Sequence, residues 1–334
     1  MSSTGTVRWG IVGPGRIAQN VVRDFRQVPG AAVVAVASRS AERARAFADE
    51  HQIPAAYGSY GEVVAADDVD ALYIATPHPQ HHAVALAAIA AGKAVLVEKT
   101  FTATVAGAEE VVAAARQHRV FAMEAMWTRF QPAIVAAREL IADGAIGEVR
   151  QVQADLGVDR PFDPGDRLYD PAQGGGALLD LGVYVVSFAQ HFLGTPDRVA
   201  VSGSLAPTGV DAEAGLLLGY DDGRAAALLV SIRHHTPGAA RIQGTEGWIE
   251  VQPRFHHPRT IVLHRRGKDP ETLTREPTGG GYAHELGEVT EGVLAGRTES
   301  AVMPLEDTLA VQRVLNEACE RLGVVHHEDR TLQL

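Results

Sequence analysis

The chain of 334 residues has a single cysteine, Cys319. One thiol cannot form an intramolecular disulfide, a multi-cysteine metal site or an iron–sulfur site, and this favours an intracellular protein. The longest wholly apolar run, Ala83–Ala91, is roughly half of what a membrane-spanning helix requires. No apolar stretch of signal-peptide length follows the first residues. These absences predict a soluble, cytoplasmic protein with no membrane partner.

Positive charge is also scarce. The chain has 30 Lys and Arg against 41 Asp and Glu, which gives a formal net charge of −11. Because it also lacks a basic run, a nucleic-acid partner is not expected. Hydrophobic residues make up 46% of the sequence, enough to predict a packed core rather than disorder. A chain of this length is expected to form about two domains.

Short β-rich runs alternate with alanine-rich helical stretches in the first part of the chain. Continuously apolar runs predict strands buried on both faces at Val7–Val12, Ala32–Ala37, Ala71–Ala75 and Ala94–Val97. The stretches between them predict helices at Ile17–Phe25, Ala41–Glu50 and His81–Ala91. This βαβ repetition predicts an α/β fold with a doubly wound parallel sheet in an N-terminal domain of residues 1–125.

The pattern changes after Trp127. A helix is predicted over Pro132–Asp143, and strands are predicted at Glu148–Leu156, Val199–Leu205, Ala214–Tyr220, Ala225–Ile232 and Gly247–Val251. The turn residues in Tyr220–Arg224 are typical of a hairpin. Two helices, Tyr282–Ala295 and Leu305–Leu322, are predicted to close the chain. Residues 126–334 are therefore predicted to form an α+β domain with a largely antiparallel sheet.

A G-x-G-x-x-A pattern follows the first predicted strand at residues 13–18. Gly13 and Gly15 let the backbone turn tightly and approach a pyrophosphate, and Ala18 lets the next helix pack closely on the strand. The N-terminal amides of that helix can bind phosphate. The pattern predicts a dinucleotide-binding domain of the Rossmann type.

The end of the second strand bears on the choice of cofactor. NAD-specific enzymes place a carboxylate there for the ribose hydroxyls, whereas this chain has Ser38 and Arg39. Arg39 can pair with a 2′-phosphate, so we expect NADP. The alternative is that Arg39 is a solvated residue stacking on adenine, which would permit NAD as well.

Two groups of residues could bind a substrate or exchange a proton with it. Glu98 and Lys99 follow the fourth predicted strand at the carboxyl edge of the sheet, where Lys99 could exchange a proton with a substrate oxygen; the alternative is a surface salt-bridge lysine. Asp180 and Tyr184, four residues apart after a glycine run, are expected on one helix face. They suit the binding of a polyol or sugar, or else form a structural hydrogen bond.

The fourteen histidines include four adjacent pairs, at residues 81–82, 234–235, 256–257 and 326–327. Adjacent residues in a helix or strand point apart, so such a pair cannot chelate a metal on its own. No H-E-x-x-H motif is present. The sequence therefore predicts no metal site, and it predicts that Cys319 packs on an apolar helix face.

Four segments together resemble the glucose-fructose oxidoreductase and inositol dehydrogenase family (Gfo/Idh/MocA): residues 13–18, 76–81, 91–99 and 174–184. Met123–Phe130, with the sequence MEAMWTRF, is similar to the subgroup of dimeric dihydrodiol dehydrogenases and NADP-linked D-xylose 1-dehydrogenases. Thr100 stands where the family usually has proline. Tyr184 replaces a frequent histidine, as is typical of this subgroup.

The resemblance implies that Lys99 is the catalytic acid/base and that Asp180 and Tyr184 orient the substrate hydroxyl or relay its proton. The cofactor-binding residues that it implies are Gly13, Gly15, Arg16, Ile17, Ser38, Arg39, Thr76, Pro77, His81, Glu98, Lys99, Trp127, Arg129 and Arg167. Among these, Trp127 and Arg129 would wall the pocket around the nicotinamide, and Arg167 would reach the cofactor from the second domain.

We therefore predict an NADP-dependent oxidoreductase that acts on a sugar, polyol or cyclic diol. Two alternatives are a family member that oxidises a sugar transiently to cleave a glycosidic bond, and a cofactor-binding sensor without turnover.

Consecutive apolar residues in strands 214–220 and 225–230 suggest that both strand faces are apolar. An exposed apolar patch of that size predicts a homodimer or a higher homo-oligomer.

Overall fold

The computed structural model describes residues 5–334, and in this range a six-stranded parallel sheet forms near the N-terminus. Its strands are β1 (Val7–Val12), β2 (Ala31–Ala37), β3 (Ala55–Tyr57), β4 (Ala71–Ile74), β5 (Ala94–Glu98) and β6 (Ala122–Ala125). They lie in the order β3-β2-β1-β4-β5-β6, with every neighbouring pair parallel. This order is that of a dinucleotide-binding doubly wound sheet, as the sequence predicted.

Helices connect these strands: α1 (Arg16–Asp24), α2 (Ala41–His51), α3 (Tyr60–Ala65), α4 (His78–Ala90) and α5 (Val105–His118). Ser40 and Thr104 cap α2 and α5, since their hydroxyls accept from backbone amides three residues later. The first strand was predicted with the observed bounds. The elements β3, α3, α5 and β6 were not predicted. For β3 and α3, three to six residues carry too little periodicity.

The later part of the described chain contains an eight-stranded sheet. Its strands are β7 (Val149–Gly157), β8 (Arg198–Leu205), β9 (Asp211–Gly219), β10 (Ala225–Ser231), β11 (Ala240–Gly244), β12 (Gly247–Val251), β13 (Thr260–Arg265) and β14 (Glu271–Thr274). Only the β7–β10 pair is parallel, so the predicted largely antiparallel sheet is confirmed. The hairpin predicted at Tyr220–Arg224 joins β9 and β10.

Four further helices complete the described chain: α6 (Pro132–Ala142), α7 (Val183–Leu193), α8 (Ala283–Leu294) and α9 (Leu305–Leu322). The helical stretch Pro171–Leu193, which includes α7, is long and apolar enough to cross a membrane by length and composition alone. Because 83% of its most apolar window is buried in the structure, it has the character of a core helix and is weak evidence for a membrane span.

The described residues form two compact units. The first contains the residues up to Ala125 together with 278–308 and 327–334, and the second contains 126–277 and 309–326. The prediction of one domain over residues 126–334 was therefore wrong for two segments. The segment with α8 joins the first unit because the Asp24 carboxylate accepts from the Gly280 and Tyr282 amides, and Trp9 donates to Thr290.

Candidate active site

The loop between β1 and α1 needs its first glycine for steric reasons. Gly13 has φ +92°, and a Cβ there would lie 2.9 Å from the Ala75 carbonyl oxygen. A Cβ on Gly15 would meet no described protein atom within 4 Å, so the backbone is open to a phosphate group. Arg16 and Ile17 begin α1, and Gly15 in the capping position supplies no side chain for their amides. This cradle fits the pyrophosphate of a dinucleotide.

The end of β2 presents hydroxyl and guanidinium groups. Ser38 is buried, and its hydroxyl accepts from the Ser40 amide at 3.2 Å. Arg39 is exposed, and its charge lies near the Tyr60 hydroxyl. Burial raises the pKa of the Tyr60 hydroxyl, while the charges of Arg39 and Arg43 act in the opposite direction. Arg43 lies one helical turn beyond Arg39, a second cation that the sequence analysis did not single out.

Thr76, Pro77 and His81 lie between β4 and the first turn of α4. The Thr76 hydroxyl is buried and has no hydrogen-bond partner among the described residues, as a cofactor contact would require. His81 is fully buried, with Nε2 2.7 Å from the Thr76 carbonyl oxygen and Nδ1 2.9 Å from that of Thr100. Burial lowers the pKa of His81 to about 4. The neutral ring has one N–H, so it donates to one of these two carbonyl oxygens and packs between the two loops.

Glu98 ends β5 and Lys99 follows it, at the carboxyl edge of the parallel sheet. Glu98 is buried, and its carboxylate accepts from the Tyr73 hydroxyl at 2.6 Å and from the Lys99 amide at 3.2 Å. Lys99 is half-buried, and the Lys99–Thr100 peptide bond is cis. The structure therefore orients the Glu98 carboxylate immediately beside the predicted acid/base.

Tyr73 and Glu285 were missed by sequence reasoning. Tyr73 is fully buried in the otherwise aliphatic β4, and its aromatic ring with a polar tip was the one signal available. Glu285 lies in α8, and burial together with the charge of Glu98 raises the pKa of its carboxyl well above the ordinary range. Nothing in the local sequence places α8 beside the parallel sheet.

Asp180 and Tyr184 lie in different kinds of helix in the second unit. Residues Leu178–Gly182 form a π-helical turn, and α7 begins at Val183. The regular α-helical spacing expected for this pair is therefore wrong in detail. Such turns are rare in proteins, and those that occur are often found at functional sites. The preceding glycines are packed rather than hinge-like, because a Cβ on Gly175 would lie 2.7 Å from the carbonyl oxygens of Arg167 and Leu168.

Arg167 is paired with one of the predicted site residues. Its guanidinium donates to Asp180 Oδ1 at 2.9 Å, and the Asp180 side chain is 13% exposed against 43% for Arg167. The pair holds the carboxylate in one orientation. The further prediction that Arg167 reaches the cofactor stays a prediction.

Trp127 and Tyr184 share an aromatic cluster with His256 and His257. The Trp127 ring centroid lies 5.0 Å from that of His257, and the Tyr184 centroid lies 5.1 Å from that of His256. The Thr128 hydroxyl donates to the His256 carbonyl oxygen at 2.7 Å, which fixes this segment. In the sequence the two histidines are only an adjacent pair that cannot chelate a metal, and nothing there indicates their place beside Tyr184.

Arg129 is buried and bound inside the second unit. Its Nε donates to the Ser187 hydroxyl at 3.2 Å, and Nη2 donates to Gln190 Oε1 at 2.5 Å. These bonds join the turn Trp127–Phe130 to α7. An internal structural role accounts for this residue, and its predicted contact with the cofactor stays a prediction.

Comparisons with known proteins agree with this fold. A family model described as an oxidoreductase family with an NAD-binding Rossmann fold matches residues 7–126. A second model, described as the GFO/IDH/MocA C-terminal domain, matches residues 134–250. The trans-1,2-dihydrobenzene-1,2-diol dehydrogenase of Mus musculus is 38% identical over 97% of this chain and 99% of the mouse protein. The human protein of the same name is 36% identical with the same coverage.

Solved structures show the same architecture. A 3-ketoreductase from Actinomadura kijaniata, in complex with NADP and TDP-benzene, has a TM-score of 0.83 at 27% identity and covers 97% of this chain and 99% of its own. An aldose-aldose oxidoreductase from Caulobacter crescentus, complexed with glycerol, has a TM-score of 0.85 at 27% identity, with 95% and 97% coverage.

Fold, phosphate cradle and comparisons together define an NAD(P)-binding oxidoreductase, a dehydrogenase or reductase that acts on CH–OH groups. The chain belongs to the Gfo/Idh/MocA family.

Proposed function

We propose that this protein transfers a hydride between NADP and a carbon bearing a hydroxyl or carbonyl group, with Lys99 as general acid/base. The observation that carries the proposal is the position of Lys99 at the carboxyl end of β5, the sheet edge at which folds of this type bind ligands. The adjacent Glu98 carboxylate is held by Tyr73. A surface salt-bridge lysine would need no such buried, oriented neighbour.

The nicotinamide, when bound, supplies the hydride acceptor or donor. Lys99 Nζ takes the hydroxyl proton from the substrate during oxidation and returns it during reduction. Gly13 and Gly15 form the phosphate cradle, and the buried Thr76 hydroxyl has a donor and lone pairs to offer. In the second unit, Arg167 keeps Asp180 oriented for a substrate hydroxyl.

The proposed preference for NADP rests on the charges after β2. Arg39 is exposed and Arg43 follows it on α2, while Ser38 occupies the position where NAD enzymes place a carboxylate. A 2′-phosphate gains charge-assisted hydrogen bonds from a guanidinium and would be repelled by a carboxylate.

The proposed substrates are cyclic diols, sugars and polyols. Two relatives are named for a dihydrobenzene diol, one neighbour for a keto group and another for aldoses. Asp180 and Tyr184 offer a carboxylate and a phenol for hydroxyl groups, and Tyr184 also belongs to the aromatic cluster with Trp127. Polar and aromatic groups together suit a ring that carries hydroxyls.

The experiment replaces Lys99 by Ala. Turnover of diols and sugars with NADP should fall by about 10²- to 10⁴-fold, the usual contribution of a general acid/base. NADPH affinity, measured by fluorescence titration, should remain nearly unchanged because Lys99 is not assigned to phosphate binding. The chain has only three lysines, and the exposed Lys268 provides the control Lys268→Ala. A Lys99→Ala protein that retains most of its activity would place the chemistry elsewhere.

A further inference from the structure

Three side chains of different ligand type converge in the second unit: Asp211 at the start of β9, Cys319 in α9 and His326 beyond α9. A carboxylate oxygen, the thiol sulfur and an imidazole nitrogen all lie within 4.8 Å of one another. None of these residues belongs to the site described above. Asp211 lies more than a hundred positions before Cys319 and His326 in the sequence, so no local motif could reveal the group.

Backbone turns bring the three residues together. After α9, Gly323 adopts φ +77° and the Val324 amide donates to the Cys319 carbonyl oxygen at 2.9 Å. This reversal directs the following residues back toward Cys319. Asp211 is fixed from the other side, because its Oδ2 accepts from the Leu178 amide at 2.6 Å.

The second carboxylate oxygen of Asp211 is the decisive observation. Asp211 is fully buried, and its Oδ1 has no hydrogen-bond partner among the described residues. A Cβ on Gly176 would overlap this oxygen, so the chain makes room for the carboxylate at this position. A buried carboxylate oxygen without a partner is costly unless a cation or a proton neutralises the group.

We propose that Asp211, Cys319 and His326 bind one divalent transition-metal ion, with zinc as the best match. The thiol loses its proton to solvent as its sulfur bonds to the metal, so carboxylate, thiolate and neutral imidazole bring a charge of −2. A divalent ion balances that charge inside a buried site. Mixed oxygen, sulfur and nitrogen ligands suit zinc, whereas magnesium and calcium prefer oxygen alone.

With three protein ligands, a water molecule would take the fourth tetrahedral position of the zinc ion. The role of the ion would be to brace the backbone. Through Asp211 it would brace the Leu178 amide, at the first residue of the π-helical turn that contains Asp180. The site is independent of the proposed redox chemistry, so its metal content can be tested whether or not Lys99 acts as the base.

The test measures metal in untagged protein after purification without chelator and after zinc loading followed by dialysis. The unmodified chain should retain about one zinc per chain. Asp211→Asn, Cys319→Ser and His326→Gln should each lose most of it, and the exposed His118→Gln is the matched control that should retain it. Thermal midpoints with and without chelator should differ for the unmodified chain and coincide for Cys319→Ser.

Cobalt gives a direct spectroscopic readout. Because Cys319 is the only cysteine, a thiolate-to-cobalt absorption band can arise from no other residue. The band should appear when cobalt is added to the unmodified chain and be absent in Cys319→Ser. Substoichiometric zinc that is equal in all variants, or a missing cobalt band, would overturn the proposal and leave Asp211 neutralised by a proton.

Discussion

Arg39 is the residue whose replacement should change the choice of cofactor. Loss of its guanidinium in Arg39→Ala removes charge-assisted hydrogen bonds that contribute about 1.5–3 kcal/mol, so the KM for NADP should rise about tenfold or more. The KM for NAD should change little. Steady-state kinetics with both cofactors measure this, and Arg45→Ala, which removes an exposed arginine of the following helix α2, is the control for charge alone. Equal use of NAD and NADP by the unmodified protein would contradict the assignment.

His81 should make stability depend on pH. Its folded-state pKa is about 4, below the usual value near 6.5, so the unfolded chain binds the proton first as pH falls. The contribution of the neutral ring is fully present above about pH 6.5 and is lost progressively toward about pH 4. The difference in thermal midpoint between the unmodified protein and His81→Gln should shrink over this range. A difference that stays constant would show that His81 does not titrate in this way.

Single residues also show where sequence reasoning stops. Gly13 was expected to let the backbone turn tightly because a phosphate loop has a local pattern, and its φ of +92° agrees with that expectation. The predicted contact of Arg129 with the cofactor stays a prediction, and its observed partners Ser187 and Gln190 lie 58 and 61 positions away. The partner of a charged side chain depends on tertiary packing, which local spacing does not encode.

At the scale of elements, periodicity was informative where elements are long. The helix α9 was predicted with the observed bounds, because eighteen residues repeat an apolar face several times. The π-helical turn before α7 was read as regular helix. Its geometry depends on contacts such as the Leu178 amide with Asp211, thirty-three positions away.

The N-terminus of α5 should depend on the C-terminal segment. Glu328 Oε1 accepts from both the amide and the hydroxyl of Thr104, each at 2.8 Å, while the Thr104 hydroxyl caps α5 by accepting from Gly107. Glu328→Ala should lower the free energy of unfolding by about 1.5–3 kcal/mol, the range for hydrogen bonds to a charged group.

Hydrogen exchange locates this effect. Faster exchange of the first α5 amides is expected in Glu328→Ala, and the exposed Asp49→Ala should leave both exchange and stability unchanged. Unaltered protection of α5 in Glu328→Ala would show that the capping contact does not stabilise the helix.

At the scale of the whole molecule, the two units do not correspond to two continuous stretches of the chain. The change of pattern near residue 125 was visible in the sequence, and the first unit does break there. The return of residues 278–308 and 327–334 to that unit depends on Asp24, Thr104 and other partners more than two hundred positions away. Such pairings are carried by tertiary structure alone.

The eight-stranded sheet has one buried and one open face in the second unit. Along β9 and β10, Leu216 and Leu228 are buried, while Leu217 and Leu229 are 56% and 59% exposed. Both faces of these strands carry apolar residues, as the sequence suggested, but only one face is buried in the second unit. Small residues, including Ala200 of β8, line a shallow groove around the two exposed leucines.

We predict that this open face pairs with the same face of a second copy. A Gln153 amide, the Asp155 carboxylate and the Arg241 guanidinium border the groove, so a two-fold pairing can bring opposite charges together around an apolar centre. Light scattering or sedimentation at micromolar concentration should report at least twice the 35.5 kDa chain mass. The double variant Leu217→Lys and Leu229→Lys should dissociate to monomer, because it places like charges in the apolar centre. Val135→Lys, an exposed position on α6, is the control that should leave the mass unchanged. A monomer at all these concentrations would mean that the exposed leucines of the sheet are covered by something other than a second copy.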